Sequence, residues 1–348
     1  MRGPVFFLGF LFFSLIPGPA GAVDYSDGRV RLTLHEGSGR FSFFYMSDIS
    51  KEKYDSFFVD QDPRTSFFSV MINDKIYRLG ESSAFRIRTE ESPSNPVFVF
   101  ESAFLMVREE FSFIKTAGSS LSNGIKITVT LENRSPQQMD LGLRFLIDTN
   151  LGEGIHGDPP FLTDKRPIPS ETAVGEGDSD QWWISRNSRL ALMGSISAGV
   201  EKKPDLVHFA NWKRLNDVPW KTGYSPGRNF NYLPYSIGDS AVCYYYELRP
   251  VSRGEILVYT ILLAAEDEKG FASYFAGSQN DLSRFLRETV PLSGEAPSAD
   301  SRQSDMLLLR DLINRIDSYI AGEITITEEE LAAMELVISR IKARYGLP

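Results

Sequence analysis

Cysteine and histidine are scarce in this chain of 348 residues, which contains one cysteine and three histidines. A single cysteine excludes a framework of disulfide bonds. A zinc site is not favoured either, since it needs three or four His or Cys ligands and His35, His156 and His208 lie far apart in the sequence. Cys243 lies among strand-forming residues, so we expect a buried, unreactive side chain. We predict no bound metal and no cofactor.

The chain also lacks the motifs of common enzyme classes and an excess of positive charge. It contains no G-x-S-x-G, no H-E-x-x-H, no phosphate-binding loop and no G-x-G-x-x-G that opens a helix. Its net charge of −9 and isoelectric point near 5.1 argue against a nucleic-acid partner, which selects a basic surface. These observations favour a protein without catalytic residues.

Long apolar runs are absent except at the N-terminus. Arg2 precedes an apolar segment at residues 5–16, and Ala20-Gly21-Ala22 fits a signal-peptidase site. The run is shorter than the ~20 residues that cross a bilayer, so a retained membrane helix is the weaker alternative. We predict that residues 1–22 are a signal peptide cleaved after Ala22. The mature chain is then exported, to the periplasm, with no transmembrane segment.

Short strand-like segments separated by turns fill the chain from about residue 29 to residue 266. In residues 124–133, Ile125, Ile127, Val129 and Leu131 alternate with polar residues, which predicts one buried and one wetter face. About eleven such segments follow one another without helices between them, as in antiparallel sandwiches. We predict a mainly β protein: a large, supersandwich-like antiparallel β-sandwich over residues 23–275, with an α-helical C-terminus.

The composition changes after the sandwich, where residues 276–302 read as a short helix and a linker, and residues 303–348 as a helical hairpin. Thr327 and Glu330 form a capping box at the start of the last helix. The apolar stripes of the two helices are Leu309, Ile316, Leu331, Met334, Ile338, Ile341 and Tyr345. A two-helix hairpin needs a further surface to cover these stripes. That surface is either the sandwich of the same chain or a protein partner, including a second copy.

One loop and one aromatic segment are candidate ligand surfaces. The loop within "LGLRFLIDTNLGEGIHGDPPF" carries Asp148, Glu153, His156 and Asp158. It could hold calcium, could supply a catalytic carboxylate pair, or could be only an elaborate turn, and the turn is the favoured interpretation. The aromatic segment contains all four tryptophans: Trp182, Trp183, Trp212 and Trp220. They could stack on sugar rings, form a protein interface, or close one end of the sandwich.

Three segments resemble exported periplasmic β-sandwich proteins of bacteria, of the spirochaete type. They are "LENRSPQQMDLGLRFLIDTNLGEGIHGDPPF", "YYYELRPVSRGEILVYTILLAAED" and "FFVDQDPRTSFFSVMINDKIYRLGESSAF". The resemblance implies a periplasmic sandwich with a part in the cell envelope or in assembly of periplasmic flagella. We therefore expect a non-enzymatic interaction protein whose C-terminal hairpin binds periplasmic partners or a second copy. The alternative is a glycan-binding or glycan-modifying sandwich that uses the tryptophan-rich loops.

Overall fold

The computed structural model describes most of the chain. It covers residues 21–59, 63–90, 95–116, 119, 121–149, 151–153, 158–271 and 274–276, scattered helical positions between 305 and 320, residue 326 and residues 328–347. The predicted linker after residue 276 and most of the first predicted C-terminal helix lie outside the described residues, as do residues 1–20. Where the sandwich ends and the linker begins therefore stays a prediction.

Twenty strands and two helices make up the described fold. The first ten strands are β1 Ala22–Asp27, β2 Val30–His35, β3 Arg40–Asp48, β4 Lys53–Ser56, β5 Phe67–Ile72, β6 Lys75–Arg78, β7 Arg86–Glu90, β8 Val97–Glu101, β9 Leu105–Thr116 and β10 Gly124–Asn133. The others are β11 Met139–Asp148, β12 Phe161–Thr163, β13 Pro167–Ile168, β14 Thr172–Gly175, β15 Trp182–Arg186, β16 Ala191–Ser195, β17 Leu206–Asn211, β18 Ser240–Val251, β19 Ile256–Ala265 and β20 Tyr274–Ala276. The helices are α1 Trp212–Asp217 and α2 Glu328–Tyr345.

The strands form three antiparallel sheets. The N-terminal sheet has the order β1-β2-β3-β4, and the small sheet has the order β14-β17-β18-β11-β5-β6. The large sheet has the order β13-β12-β15-β16-β19-β10-β9-β8-β7, with β20 added beside β9. This arrangement confirms the predicted mainly β, antiparallel class.

One apolar core lies between these sheets. The alternation in β10 is confirmed, since Ile125, Ile127, Val129 and Leu131 are all buried. From the small sheet, Phe68 and Phe145 stack with their ring centroids 4.0 Å apart. From the large sheet, Trp183 is fully buried, and its indole Nε1 donates a hydrogen bond to the Tyr244 hydroxyl. Large aromatic side chains thus fill the wide space between two extended sheets.

Helix α2 packs against its own chain. Met334, Val337 and Ile341 are buried in a cluster with Met46 and Ile49 of the N-terminal sheet region. The helix is also fixed by ion pairs that Arg340 makes with Glu52 and Arg344 with Asp305. Within the described part of the chain, neither helix is both long and apolar enough to cross a membrane.

This packing covers part of the predicted partner-binding stripe. Met334 and Ile341 are covered by the sandwich, and Leu309 and Tyr345 are partly buried in the same cluster. The physical reason is that Leu121, Met46 and Ile49 already form an apolar surface beside the helix. Of the predicted residues, Ile316, Leu331 and Ile338 are exposed, and partner binding by them stays a prediction.

Candidate functional site

The outer face of the small sheet carries buried polar side chains. Residues of β11, β17 and β18 alternate between the core and this outer face, which α1 and the segment after it cover. Arg144 of β11 is 1% exposed there. Its guanidinium donates hydrogen bonds to the Leu215 carbonyl oxygen and the Cys243 Sγ, and it lies over the rings of Phe67 and Tyr245. Cys243 is buried, as its sequence context predicts.

Glu171 forms a second buried polar group with His208 and Arg214. Its carboxylate pairs with the Arg214 guanidinium, and its Oε1 lies 3.2 Å from the His208 Nε2. The same Oε1 accepts a hydrogen bond from the Ser225 backbone N–H at 2.8 Å. All of these groups are held inside the protein, so this cluster fixes the segment after α1 against the sheet. We call it the Glu171 cluster.

Three carboxylates meet at the edge of the small sheet, where β11 ends and β18 begins. Oxygen atoms of Asp148, Glu153 and Asp239 all lie within 4.8 Å of one another. The pairing of β11 with β18, which places Asp148 opposite Ala241, brings the two distant segments together. Asp148 is buried, whereas Glu153 and Asp239 are partly exposed. We call these three residues the carboxylate group.

The ionisation of Glu153 is more strongly perturbed than that of Asp239. Burial raises the pKa of its carboxyl from the ordinary value near 4.5 to about 7, and neighbouring Asp239 adds to the rise. A hydrogen bond of 2.6 Å from the Ser240 backbone N–H to the Glu153 Oε1 opposes it. Burial also raises the pKa of Asp239. Near neutral pH, Glu153 can therefore donate or accept a proton.

The loop at residues 229–239 joins the carboxylate group to an exposed aromatic surface. Asn211 fixes this loop: its side-chain amide donates hydrogen bonds to the Phe230 carbonyl, the Ser236 hydroxyl and the Asp239 carbonyl. Tyr235 is 69% exposed, and its ring stacks on that of Tyr232 with centroids 5.7 Å apart. The loop thus places an aromatic pair a few residues from Asp239.

A cavity of about 290 Å³ opens nearby, between the N-terminal sheet and the small sheet. It is lined by Ser38, Arg40, Arg64, Gly80 and Glu81. Arg64 belongs to the segment just before β5. That segment is fastened to the carboxylate group, because the Ser66 hydroxyl accepts a hydrogen bond of 2.9 Å from the Asp148 backbone N–H.

The tryptophans do not form the predicted ligand surface. Trp183 lies in the core between the sheets, and Trp182 packs on the outer face of the large sheet. Trp212 and Trp220 pack on the outer face of the small sheet, where Trp220 is 9% exposed. Trp182 and Trp183 enter different clusters because neighbouring residues of a strand point to opposite faces.

The predicted ligand loop is only partly brought together. Asp148 and Glu153 belong to the carboxylate group, Asp158 is exposed and outside it, and His156 lies outside the described residues. The turn itself depends on Gly152. A Cβ there would lie 2.1 Å from the Pro160 carbonyl oxygen, so the close approach of the two chain segments requires glycine.

Sequence reasoning did not find Asp239, Tyr235, Arg40 or Arg64. Asp239 and Tyr235 stand in a polar, Tyr-rich segment, and that composition was the available signal. The two arginines carry no local signal, because the cavity they line is formed by segments of two different sheets.

Comparisons with known proteins give no family. No protein-family model and no curated protein match the chain. Similar solved structures include a galactose mutarotase related enzyme from Lactobacillus acidophilus, with 8% identity, a TM-score of 0.43, and coverage of 71% of this chain and 98% of that chain. A galactose mutarotase-like protein from Lactobacillus casei has 10% identity and a TM-score of 0.41, with coverage of 71% and 100%. A candidate aldose 1-epimerase from Escherichia coli has 9% identity and a TM-score of 0.40, with coverage of 71% and 99%.

These comparisons correct the expected function. The chain was expected to be a non-enzymatic interaction protein, yet the structures it is similar to carry the names of carbohydrate-converting proteins. The alternative interpretation, a glycan-binding or glycan-modifying sandwich, fits these findings better.

Proposed function

We propose that this protein binds a sugar beside the carboxylate group and transfers protons on it. The observation that supports the proposal is the convergence of Asp148, Glu153 and Asp239 within 4.8 Å at one sheet edge. Carboxylates held this close repel one another, which favours the protonated form of one of them. The surface that binds the sugar is the loop at residues 229–239, which we call the tyrosine loop, and not the tryptophan segment.

The chemistry follows from unequal ionisation within the group. A carboxyl with a pKa of about 7, as burial gives Glu153, works as a general acid or base at neutral pH. Asp148 and Asp239 lie close enough to share or exchange its proton. A reaction of this kind removes a proton from one oxygen and adds a proton to another. It therefore needs at least one ionised and one protonated carboxyl.

The reaction to test first is interconversion of the two anomers of an aldose, the activity named for one of the similar structures. One carboxylate takes the proton of the O1 hydroxyl, and the protonated partner gives a proton to the ring oxygen O5. The C1–O5 bond breaks, and O1 and C1 become a carbonyl group. Rotation about the C1–C2 bond and ring closure on the other face return both protons, so atoms and charges balance.

Tyr235 and Tyr232 supply the binding surface. Sugar rings have apolar C–H faces that stack on exposed aromatic rings, and the Tyr235 ring is 69% exposed. The loop is fixed by Asn211, so little conformational entropy is lost when a sugar binds. A pyranose stacked on this pair lies along the loop that ends at Asp239.

The experiment measures anomer interconversion of glucose and galactose by polarimetry or by NMR of the anomeric proton. Replacing Glu153 by Gln keeps the shape of the side chain and removes its ionisation, so we expect the rate to fall about 100-fold or more. The matched control is Glu247→Gln, since Glu247 is exposed and pairs with Lys221. Unchanged rates in Glu153→Gln, or wild-type rates no higher than those of buffer, would contradict the proposal.

Export belongs to the same proposal. A sugar site in the periplasm meets the glycans of the cell envelope, and the predicted cleavage point after Ala22 lies at the start of β1. N-terminal sequencing of the protein purified from its own cells tests this part, and a mature chain that begins at Val23 is the expected result.

A further inference from the structure

The cavity beside Arg64 is lined by two arginines, Arg40 and Arg64, and by one acid, Glu81. Arg40 is buried, and its guanidinium donates to the Ser66 carbonyl oxygen and pairs with Glu81 at 2.6 Å. The Arg78 guanidinium lies 4.0 Å from the centre of the Phe67 ring, and the Arg40 guanidinium lies 4.9 Å from it. Arg64 is exposed, and among the described residues none forms a hydrogen bond or ion pair with it.

Two acids of the described structure lie near these arginines. Glu81 faces both Arg40 and Arg78, and it is half exposed. The second acid near Arg40 is Glu109, which is 1% exposed and whose two carboxyl oxygens have no hydrogen-bond partner in the described structure. Burial raises the pKa of Glu109 well above its ordinary value, and the nearby Arg40 opposes this rise. Among the described residues, the Glu81 carboxylate pairs with Arg40 and Arg78, and Arg64 lines the same cavity without an ion pair to a described residue.

The walls of the cavity are built by a close approach of two turns. Gly80 has a φ of +86°, and a Cβ at this position would lie 1.9 Å from the Ser38 carbonyl oxygen. Only glycine fits there, which brings Ser38 and Glu81 together around the arginines. The volume of about 290 Å³ is near the lower end of ligand pockets and suits one small substituted ring or its charged group.

The cavity and the carboxylate group lie on the same short segment. The Ser66 carbonyl accepts from Arg40, while the Ser66 hydroxyl accepts from the Asp148 backbone N–H. Arg64 is two residues before Ser66, a distance of about 7 Å along an extended chain. Ser66 therefore joins the segment that lines the cavity to the end of the strand that carries Asp148.

We propose that this cavity binds the anionic group of an acidic sugar, a carboxylate, sulfate or phosphate, through Arg40 and Arg64. This rests on the proposed sugar-binding function and names its substrate class. Guanidinium groups bind such oxyanions by paired, charge-assisted hydrogen bonds. Arg64 is the group available for that contact, whereas Arg40 is already oriented by Glu81 and Ser66. A neutral sugar leaves Arg64 without a counter-charge.

The test is calorimetric titration of the purified full-length chain with glucuronate, glucose 6-sulfate, glucose 6-phosphate and glucose at one ionic strength. We expect at least one acidic sugar to bind about tenfold more tightly than glucose. The three acidic probes show which anion is preferred. Arg64→Gln should abolish the preference while the protein stays folded, since Arg64 is exposed. Arg253→Gln, an exposed arginine in the turn between β18 and β19, is the matched control and should keep it.

The outcomes separate this inference from the proposed function. Equal affinity for glucose and for all three acidic sugars, or a preference that survives Arg64→Gln, overturns the inference, whatever the rate of anomer interconversion. A preference that depends on Arg64 supports it, even where Glu153→Gln leaves turnover unchanged and the proton-transfer role fails. If none of the four sugars binds, both the inference and the proposed function are overturned. Inorganic phosphate and acetate, titrated alone, measure how much of the preference the anion supplies without the ring.

Discussion

The Glu171 cluster and the carboxylate group both lie at the small sheet, and the surroundings of their carboxylates differ. In the Glu171 cluster, the carboxylate is 1% exposed, is paired with Arg214, and accepts a backbone hydrogen bond. In the carboxylate group, Glu153 and Asp239 are partly exposed and face a third acid, Asp148. The arginine compensates the charge in the first arrangement, whereas Glu153 and Asp239 of the second form no ion pair with a described residue.

The difference indicates which of the two groups is the candidate site for proton transfer. The Glu171 carboxylate already contacts Arg214, His208 and the Ser225 backbone N–H, so its contacts are structural. A partly exposed carboxyl with a pKa near 7 changes state with its surroundings and can reach a ligand. The Glu171 cluster therefore holds the segment that covers the sheet, and the carboxylate group is the candidate site beside it.

The largest expected effect is on the Glu171 cluster. Glu171→Gln leaves Arg214 without its counter-charge inside the protein, so we expect the free energy of unfolding to fall by about 3 kcal/mol. Urea unfolding followed by tryptophan fluorescence measures this. Glu247→Gln, which breaks an exposed pair with Lys221, should change it by less than about 1 kcal/mol. Equal effects in the two variants would show that the Glu171 cluster is not a stabilising element.

An intermediate effect is expected in the pH dependence of stability. The unfolded chain ionises Glu153 near pH 4.5, whereas the folded chain keeps its proton up to about pH 7. The folded state therefore binds more protons in this window, and its free energy of unfolding falls as pH rises from 4.5 to 7. Since Glu153 is partly exposed, we expect its share of this fall to be about 2 kcal/mol.

Glu153→Gln removes this contribution. Unfolding measured at pH 4.5, 5.5, 6.5 and 7.5 should show a shallower decline in the variant than in the wild type. Parallel curves for the two proteins would mean that Glu153 ionises at its ordinary pKa, and the contrast with Glu171 would then disappear.

The smallest expected effect is at the tyrosine loop. Tyr235→Ala removes a ring that is 69% exposed, so the free energy of unfolding should change by less than about 0.5 kcal/mol. Sugar affinity, measured by titration, should fall roughly fivefold because the stacking surface is lost. Ile237→Ala in the same loop, where the side chain is 79% exposed, is the aliphatic control and should bind sugar as the wild type does. An affinity unchanged by Tyr235→Ala places the sugar elsewhere.

Local patterns predicted the parts of the fold that depend on neighbours in sequence. The alternation from Ile125 to Leu131 predicted the buried face of β10, because a strand turns alternate residues to opposite sides. The spacing of Met334 and Ile341 predicted an apolar helix stripe in the same way. The identity of the covering surface did not follow, since Met46 and Ile49 are almost three hundred residues away.

The candidate site also combines features that short segments determine with features that only distant contacts determine. The sequence by itself determined the class of the fold, the glycine-dependent turn after Asp148, and two of the three carboxylates, since all of these depend on short segments. The pairing of β11 with β18 brought Asp239 to them, and the meeting of two sheets brought Arg40 to Arg64. Only the tertiary structure decided these contacts, because strand order in a sandwich is set by packing of the whole core and not by any local signal.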